Sequence, residues 1–205
     1  MIRKEYGVLK KMGKKESFAK LIRITSAPWV WATMLLLIIY VFKQGVFSGI
    51  YELLLSILFL VIIPFAVYPL QPIIPKYKDK GREGQRNLAF ISCFLGYFLA
   101  VLYGILARTT TELLFIYVVY FLSWLALWFS NKIIKFRSSG HMCGITGPMV
   151  HLIYFIGWQF IIPCGVLFGL ICWSSLLMKH HTAKEVIGGC CSFCIAFISG
   201  MVLVH

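Results

Sequence analysis

The chain has 205 residues, of which 60% are hydrophobic and only 13% are charged. Soluble domains are closer to half apolar and about a quarter charged, so this composition excludes a soluble enzyme, a disordered chain and a disulfide-rich secreted module. Lys and Arg number 20 against 7 acidic residues, which gives a formal net charge of +13. Asp79 is the only aspartate, which argues against any site built on paired aspartates.

The first 26 residues form a basic leader ahead of the first apolar run. The leader carries eight cations: Arg3, Lys4, Lys10, Lys11, Lys14, Lys15, Lys20 and Arg23. A signal peptide ends in small residues, whereas the apolar run here ends in the bulky segment 38–42. The pattern predicts a retained first span behind an amphipathic leader on the membrane surface, whose cations attract anionic lipid, set the topology, or do both.

Seven apolar runs make up most of the remaining chain. They cover Ala27–Phe42, Leu53–Leu70, Leu88–Leu106, Leu113–Phe129, Met142–Trp158, Phe160–Met178 and Val186–Val204. A membrane-spanning helix needs about 20 predominantly apolar residues. The sequence therefore predicts an all-α polytopic membrane helix bundle in residues 27–205, with seven transmembrane helices. Six are expected if the fifth and sixth runs form one kinked element near Gly157 and Pro163.

The basic residues are distributed unevenly between the two ends of these helices. The loops before the third, fifth and seventh predicted helices lie on the same side as the N-terminus. Together with the leader they contain 18 of the 20 Lys and Arg. Only Lys43 and Arg108 fall on the other side. Because cytoplasmic loops carry the excess of Lys and Arg, the sequence predicts a multi-pass protein of the cell membrane whose N-terminus and crowded loops are cytoplasmic.

Three of the basic loops carry polar groups next to a predicted membrane helix. They are segments 80–87, 137–141 and 179–185. Two spans separate each loop from the next, so all three are expected at one membrane face. Ionisable residues at the ends of membrane helices are candidates for function. These loops are therefore the predicted site.

The residue types in these loops suit a phosphate group. Lys and Arg clamp phosphate, and Arg does so with two parallel hydrogen bonds. Ser139 and Gly140 are expected at a helix start, where free backbone N–H groups and the positive end of the helix dipole favour an anion. His141 follows them and could donate a proton to a leaving oxygen.

A histidine–glutamate pair in the third loop supplies the remaining chemistry. His181 and Glu185 are four residues apart, so on one helical turn they face the same side. A carboxylate that holds one imidazole nitrogen frees the other to attack phosphorus. His180 competes as nucleophile, but it would point about 100° away on a helix, which suits a surface or substrate contact better. His151, inside an apolar run, is interpreted as a buried structural residue.

These motifs make the sequence similar to the type 2 phosphatidic acid phosphatase superfamily, which also includes glucose-6-phosphatase and the vanadium haloperoxidases. Ser139-Gly140-His141 matches its second motif, and segment 173–189, which ends Glu-Val-Ile-Gly-Gly, resembles its third. The first motif of that family is a basic segment ending Arg-Pro, which segment 80–87 resembles. The resemblance spans residues 76–189 and leaves the first two helices outside it.

The third motif departs from the family pattern at two positions. Ser175 stands where the family has a phosphate-binding Arg. Lys179, four residues further on and on the same helical face, is the expected substitute cation. Glu185 replaces the family's Asp, which keeps the charge on a side chain one methylene longer.

The first motif is altered as well. Asn87 replaces the family's Pro, and the distance from Lys80 to Arg86 is one residue shorter than in the family. Arg82 and Arg86, four residues apart, are the alternative phosphate-binding pair. These changes resemble patterns in the prenyl-diphosphate branches of the superfamily.

The resemblance implies an integral-membrane phosphatase acting on a phosphate monoester or diphosphate of an isoprenoid or glycerolipid. The expected catalytic residues are His181 as nucleophile, Glu185 as its orienting carboxylate and His141 as acid and base. The expected phosphate-binding residues are Lys80, Arg82, Arg86, Arg137, Ser139, Gly140 and Lys179. The expected partners are the lipid bilayer and a lipid phosphate substrate, with no metal, no other cofactor and no nucleic acid.

Two alternatives remain open on the same scaffold. One is a transferase that hands the phosphorylated headgroup to an alcohol instead of water. The other is a catalytically degenerate member that binds or moves a phosphorylated lipid, for which the missing Arg at Ser175 is the main support.

Overall fold

The structure, a computed structural model, describes residues 14–178 and 181–205, without the side chains of residues 14, 16, 24 and 82. It is 81% helical, and the described ranges contain no strand. We number the helices in chain order as α1 Lys14–Thr25, α2 Pro28–Phe42, α3 Ile50–Leu70, α4 Gly81–Leu106, α5 Thr111–Ile133, α6 Gly140–Ile156, α7 Ile161–Leu177 and α8 Ala183–Val204. The predicted all-α bundle is confirmed.

Each predicted apolar run coincides with one of the helices α2 to α8. Five helical segments of the described chain are long and apolar enough to cross a membrane, namely α3, α4, α5, α8, and α7 together with the turn Trp158–Phe160 that precedes it. The pair α1 and α2, bent by 52°, adds a sixth if it forms one span. The 17 residues of α6 cover about 26 Å, against about 30 Å of hydrocarbon. The described ranges are therefore those of a multi-pass membrane protein, with seven helices after the leader and five or six segments long and apolar enough to span.

A glycine separates the fifth and sixth predicted runs. Gly157 has a φ of +128°, a backbone conformation that residues with a Cβ rarely adopt. A single 3₁₀ turn, Trp158–Phe160, follows before α7 begins. The two runs are therefore separate helices and not one kinked element.

The beginning of α4 corrects the prediction of a loop over residues 80–87. The helix starts at Gly81, so the polar residues that follow occupy its first turns. Glu, Gln and Arg are good helix formers, and Glu83 in the first turn complements the helix dipole. Hydropathy marks only the apolar part of this helix, which is why the predicted start came too late.

The core lies where α5 and α8 pack together. Phe115 and Val119 of α5 are fully buried, and a Cβ on Gly200 of α8 would lie 2.6 Å from Val119 Cγ2. Small residues let membrane helices approach this closely. His151 of α6 is buried beside this core, and its Nδ1–H donates to the carbonyl oxygen of Gly147 at 2.9 Å. This environment agrees with a structural role for His151.

The helix ends that carry the three predicted segments meet at one end of the bundle. The backbone N–H of Ser139, just before α6, donates to the carbonyl oxygen of Glu185 in α8 at 2.9 Å. Arg86, near the start of α4, donates from Nη2 to Oδ1 of Asn131, near the end of α5, at 2.7 Å. The expected convergence of these segments is present.

The described part of the leader docks against α7. Ser174 Oγ donates to the carbonyl oxygen of Ala19 at 2.6 Å, and both residues are buried. Ile22 packs against a buried cluster that includes Met142 and Val186. Residues 1–13 of the leader lie outside the described residues. From Lys14 onward, the leader is thus one of the packed helices of the bundle.

Candidate active site

The start of α6 is fixed by Ser139, as the sequence predicted. Ser139 is the N-cap, and its Oγ accepts the Met142 N–H at 3.3 Å. Gly140 is the first helical residue. Since Ser139 is 2% exposed and its hydroxyl already caps the helix, this residue contributes to the site by placing α6 and not through an accessible hydroxyl.

The pair His181 and Glu185 forms at the start of α8, although not on a helical turn as predicted. Thr182 is the N-cap, and its Oγ1 accepts the Glu185 N–H at 3.3 Å. The Glu185 carboxylate turns back to accept the Thr182 N–H at 3.3 Å, which completes a capping box. From there its Oε2 lies 3.0 Å from His181 Nδ1. The contact forms because Glu185 caps the helix that His181 precedes.

A guanidinium holds the other oxygen of this carboxylate. Arg137 Nε lies 3.2 Å from Glu185 Oε1. Both oxygens of the Glu185 carboxylate therefore have partners. Because Oε2 accepts a hydrogen bond from the Nδ1–H of His181, the lone pair of the neutral imidazole is on Nε2. The side chains of His181 and Glu185 are 22% and 12% exposed, so the pair is partly shielded from water. This is the arrangement that an imidazole nucleophile requires.

His141 has a different environment. It lies in the first turn of α6, outside the candidate spanning helices, and its Nε2 is 3.5 Å from Ser26 Oγ in the link between α1 and α2. Burial, with the charges of Arg23 and then His181, lowers the pKa of His141 to about 4. Its imidazole is therefore neutral near pH 7, and an anion bound beside it would raise that pKa again.

A cavity of about 460 Å³ joins these groups. Its most polar lining residues are Arg23, Gln85, Arg86, Arg137, Ser138, His141 and His181. They come from α1, α4, the link between α5 and α6, α6 itself and the segment before α8. Three guanidinium groups and two imidazoles around one cavity suit a multiply charged anion.

The same cavity continues into the apolar part of the bundle. On α4 its wall includes Arg86, Phe90, Cys93 and Tyr97, whose spacing places them on one helical face. The separation of Arg86 and Tyr97 corresponds to about 16 Å of helix. The cavity wall on α5 consists of Tyr120, Ser123, Trp124 and Leu127. A cationic end joined to an aromatic interior fits an amphiphile with an anionic head.

The predicted phosphate-binding residues fall into three groups. Those that line the cavity are Arg86, Arg137 and Gly140. Those that are absent from its lining are Lys80 and Ser139. Those outside the described residues are Lys179 and the side chain of Arg82; His180, the competing nucleophile, lies outside them too. Ser175, at the family's Arg position, is 2% exposed and does not line the cavity.

Arg23, Ser26 and Ser138 are residues of the site that the sequence analysis did not identify. Ser138 lines the cavity, and its Oγ shares a 2.7 Å hydrogen bond with Ser130 Oγ. Arg23 belongs to the leader and reaches the cavity only because α1 docks against α7. The available signal was its position, since it is the last cation before the first apolar run.

Two glycines let α8 approach the start of α6. A Cβ on Gly189 would overlap the carbonyl oxygen of Ser139, and one on Gly188 would lie 2.7 Å from Ser138 Oγ. At this pair of glycines α8 is therefore in close contact with the start of α6. This contact sets the distance between the loop before α6 and the pair of His181 with Glu185.

Among the described residues, no three His, Cys, Asp or Glu side chains are grouped so that they could hold a metal ion. Comparison of the chain with family models, curated proteins and solved structures finds no match. The similarity to the phosphatase superfamily therefore rests on three short sequence motifs.

Proposed function

We propose that the protein is an integral-membrane phosphatase that removes phosphate from a lipid phosphate or diphosphate, with an isoprenoid or glycerolipid as the lipid. The observation that carries this proposal is the 3.0 Å pair of His181 and Glu185 beside a cavity that has arginines at one end and aromatic residues along the rest. Arginine suits the phosphate, and the aromatic wall suits the lipid chain. The motif resemblance supports the same activity.

The first step transfers the phosphoryl group to His181. Its Nε2 attacks phosphorus in line, the N–P bond forms, and the bond from phosphorus to the leaving oxygen breaks. Glu185 stabilises the positive phosphohistidine ring through Nδ1–H. The leaving oxygen takes a proton from His141, which is protonated in this complex because the bound phosphate raises its pKa.

The second step releases inorganic phosphate. His141, now neutral, takes a proton from water, and the resulting hydroxide attacks phosphorus as the N–P bond breaks. The step restores free His181 and protonated His141, so lipid phosphate and water become lipid alcohol and phosphate. Arg86 and Arg137 neutralise the phosphoryl oxygens in both steps, and such preorganised charge is usually the largest catalytic term.

Phosphate release by the purified protein, with EDTA present, tests this proposal. The substrate panel contains isoprenyl diphosphates, isoprenyl monophosphates, phosphatidate and phosphatidylglycerophosphate. His181→Ala is expected to lower the rate by about 10³-fold or more and to abolish an acid-labile phosphoenzyme. His205→Ala, a histidine that does not line the cavity, is the matched control and keeps the wild-type rate. Full activity of His181→Ala would refute the mechanism.

A second candidate is a degenerate member that binds a phosphorylated lipid without turnover. The observation in its favour is Ser175, a small buried side chain where the family has its phosphate-binding Arg. Tight substrate binding without phosphate release identifies this alternative. Transfer of the phosphoryl group to an added alcohol instead of water identifies the transferase.

The proposed site faces the cytoplasm. This orientation follows from the 18 of 20 Lys and Arg that belong to the N-terminal side of the bundle. Epitope tags at the N-terminus and in the link between α4 and α5, which contains Arg108, test it. In sealed inverted vesicles the first tag should be accessible to protease and the second protected, and the reverse pattern would refute the orientation.

A further inference from the structure

The leader helix docks on the stretch of α7 that contains the altered third motif. Ser174, next to Ser175, donates to the carbonyl oxygen of Ala19 at 2.6 Å. The rings of Phe18 and Trp173 lie on the same contact, with centroids 6.3 Å apart. A buried hydrogen bond and an aromatic contact define one position of α1 on α7. α1 is therefore held beside the position where the family's arginine would lie.

This docking brings the last turn of α1 next to His141. Arg23 lies in that turn and lines the cavity together with His141 and His181. Ser26 Oγ donates to the carbonyl oxygen of Arg23 at 3.2 Å and lies 3.5 Å from His141 Nε2. The positive charge of Arg23 is also close enough to help lower the pKa of His141. Arg23 thus lines the same cavity as the two histidines, where the phosphate of the proposed substrate would bind.

Arg23 is one of three arginines that line the cavity, together with Arg86 and Arg137. Ser175 supplies no charge and does not line the cavity. A site for a phosphoryl group needs a guanidinium near the attacking and leaving atoms, because bidentate hydrogen bonds fix the orientation of the phosphate. The docked leader brings Arg23 to the wall of the cavity that both histidines line.

We propose that Arg23 binds the phosphoryl group and takes the role of the arginine that the third motif lacks at Ser175, so that the leader helix forms one wall of the site. This inference rests on the proposed phosphatase function for its substrate. It assigns a binding role to a segment that the motif resemblance leaves out. It also moves the substitute cation from Lys179 to a different helix.

Three variants of the full-length protein in detergent test the assignment. Arg23→Gln removes the charge with a side chain of similar polarity, Arg23→Lys keeps the charge without the planar fork, and Lys20→Ala removes an exposed cation from the same helix. The probes are substrate turnover and the rise in melting temperature caused by inorganic phosphate. Arg23→Gln is expected to raise KM and weaken phosphate binding roughly 10- to 100-fold, as for the loss of charge-assisted hydrogen bonds.

Two further readouts distinguish binding from a structural role. Added methylguanidine should partly restore phosphate binding to Arg23→Gln, which a disturbed helix packing would not permit. The pKa of His141 should rise in Arg23→Gln, because a neighbouring positive charge no longer opposes its protonation. Because His141 is the acid of the first step, the alkaline limb of the rate profile moves to higher pH in Arg23→Gln and stays in place in Lys20→Ala.

The outcomes separate this inference from the proposed function. If the wild type is active, and Arg23→Gln and Lys20→Ala have the same KM and the same affinity for phosphate, the proposed role of Arg23 is refuted. The proposed phosphatase function is unaffected by that result. A wild type without turnover overturns the phosphatase. If the inactive wild type is stabilised by phosphate and Arg23→Gln is not, Arg23 is still an anion ligand. If phosphate does not stabilise the inactive wild type, both proposals are refuted.

Discussion

The starts of α6 and α8 are built alike, yet they surround their histidines with different charges. Each helix has a hydroxyl N-cap, Ser139 or Thr182, and each has a histidine within two residues of that cap. The third helical residue is Glu185 in α8 and Met142 in α6. The acidic residue reaches back to hold its histidine, whereas the apolar one cannot. A single capping position thus separates a histidine held by a carboxylate from a buried histidine without one.

Replacing His141 should lower activity more than replacing Glu185. His141→Gln is expected to lower kcat by about 10²- to 10⁴-fold on a lipid phosphate, the usual contribution of general acid–base catalysis. An aryl phosphate, whose leaving group needs no proton, should form the phosphoenzyme in this variant at close to the wild-type rate. Quenched-flow measurement of the burst checks this. Equal losses for both substrates would show that His141 does not act as the acid.

Removing the charge at the third helical residue of α8 should have a smaller effect. Glu185→Gln keeps the size of the side chain and is expected to lower kcat roughly 10- to 100-fold, since one hydrogen bond to a charged group is lost. Thr182→Ala is the matched control. It removes the other half of the capping box and should lower stability by about 1 kcal/mol with little change in kcat. If Glu185→Gln and Thr182→Ala had the same kcat, Glu185 would cap the helix without contributing to catalysis.

Separating the two helix starts should affect stability more than chemistry. Gly189→Ala places a methyl group against the Ser139 carbonyl oxygen and is expected to lower the free energy of unfolding by about 1–3 kcal/mol. Gly169→Ala on α7, where a Cβ meets no atom within 4 Å, should be neutral or stabilising by up to about 1 kcal/mol. Thermal melting in detergent compares them, and equal melting temperatures would contradict the close contact.

Hydropathy and capping residues were sufficient to locate most of the bundle. The apolar runs predict the helices because a bilayer leaves the backbone few other ways to satisfy its hydrogen bonds. Ser139 predicted the start of α6, and the spacing of His181 and Glu185 predicted their side-chain contact; both features are local. The start of α8 between these two residues was not predicted. The start of α4 was missed because polar residues that favour a helix leave no mark in hydropathy.

The position of the leader could not be predicted from the sequence. Its docking depends on the hydrogen bond from Ser174 to Ala19, which are 155 residues apart in the chain. No periodicity within either segment specifies such a partner. Arg23 therefore looked like one more topology-setting cation, although it lies in the wall of the cavity.

The depth of the cavity has a consequence for kinetics under the proposed function. Its wall follows α4 for about 16 Å from the charged end, so a lipid chain could remain at bilayer depth while its phosphate reacts. The relevant concentration is then the mole fraction of substrate in the membrane and not its concentration in bulk water. Diluting a fixed amount of substrate with inert lipid would slow such an enzyme, whereas diluting the whole suspension with buffer would leave the rate per protein unchanged.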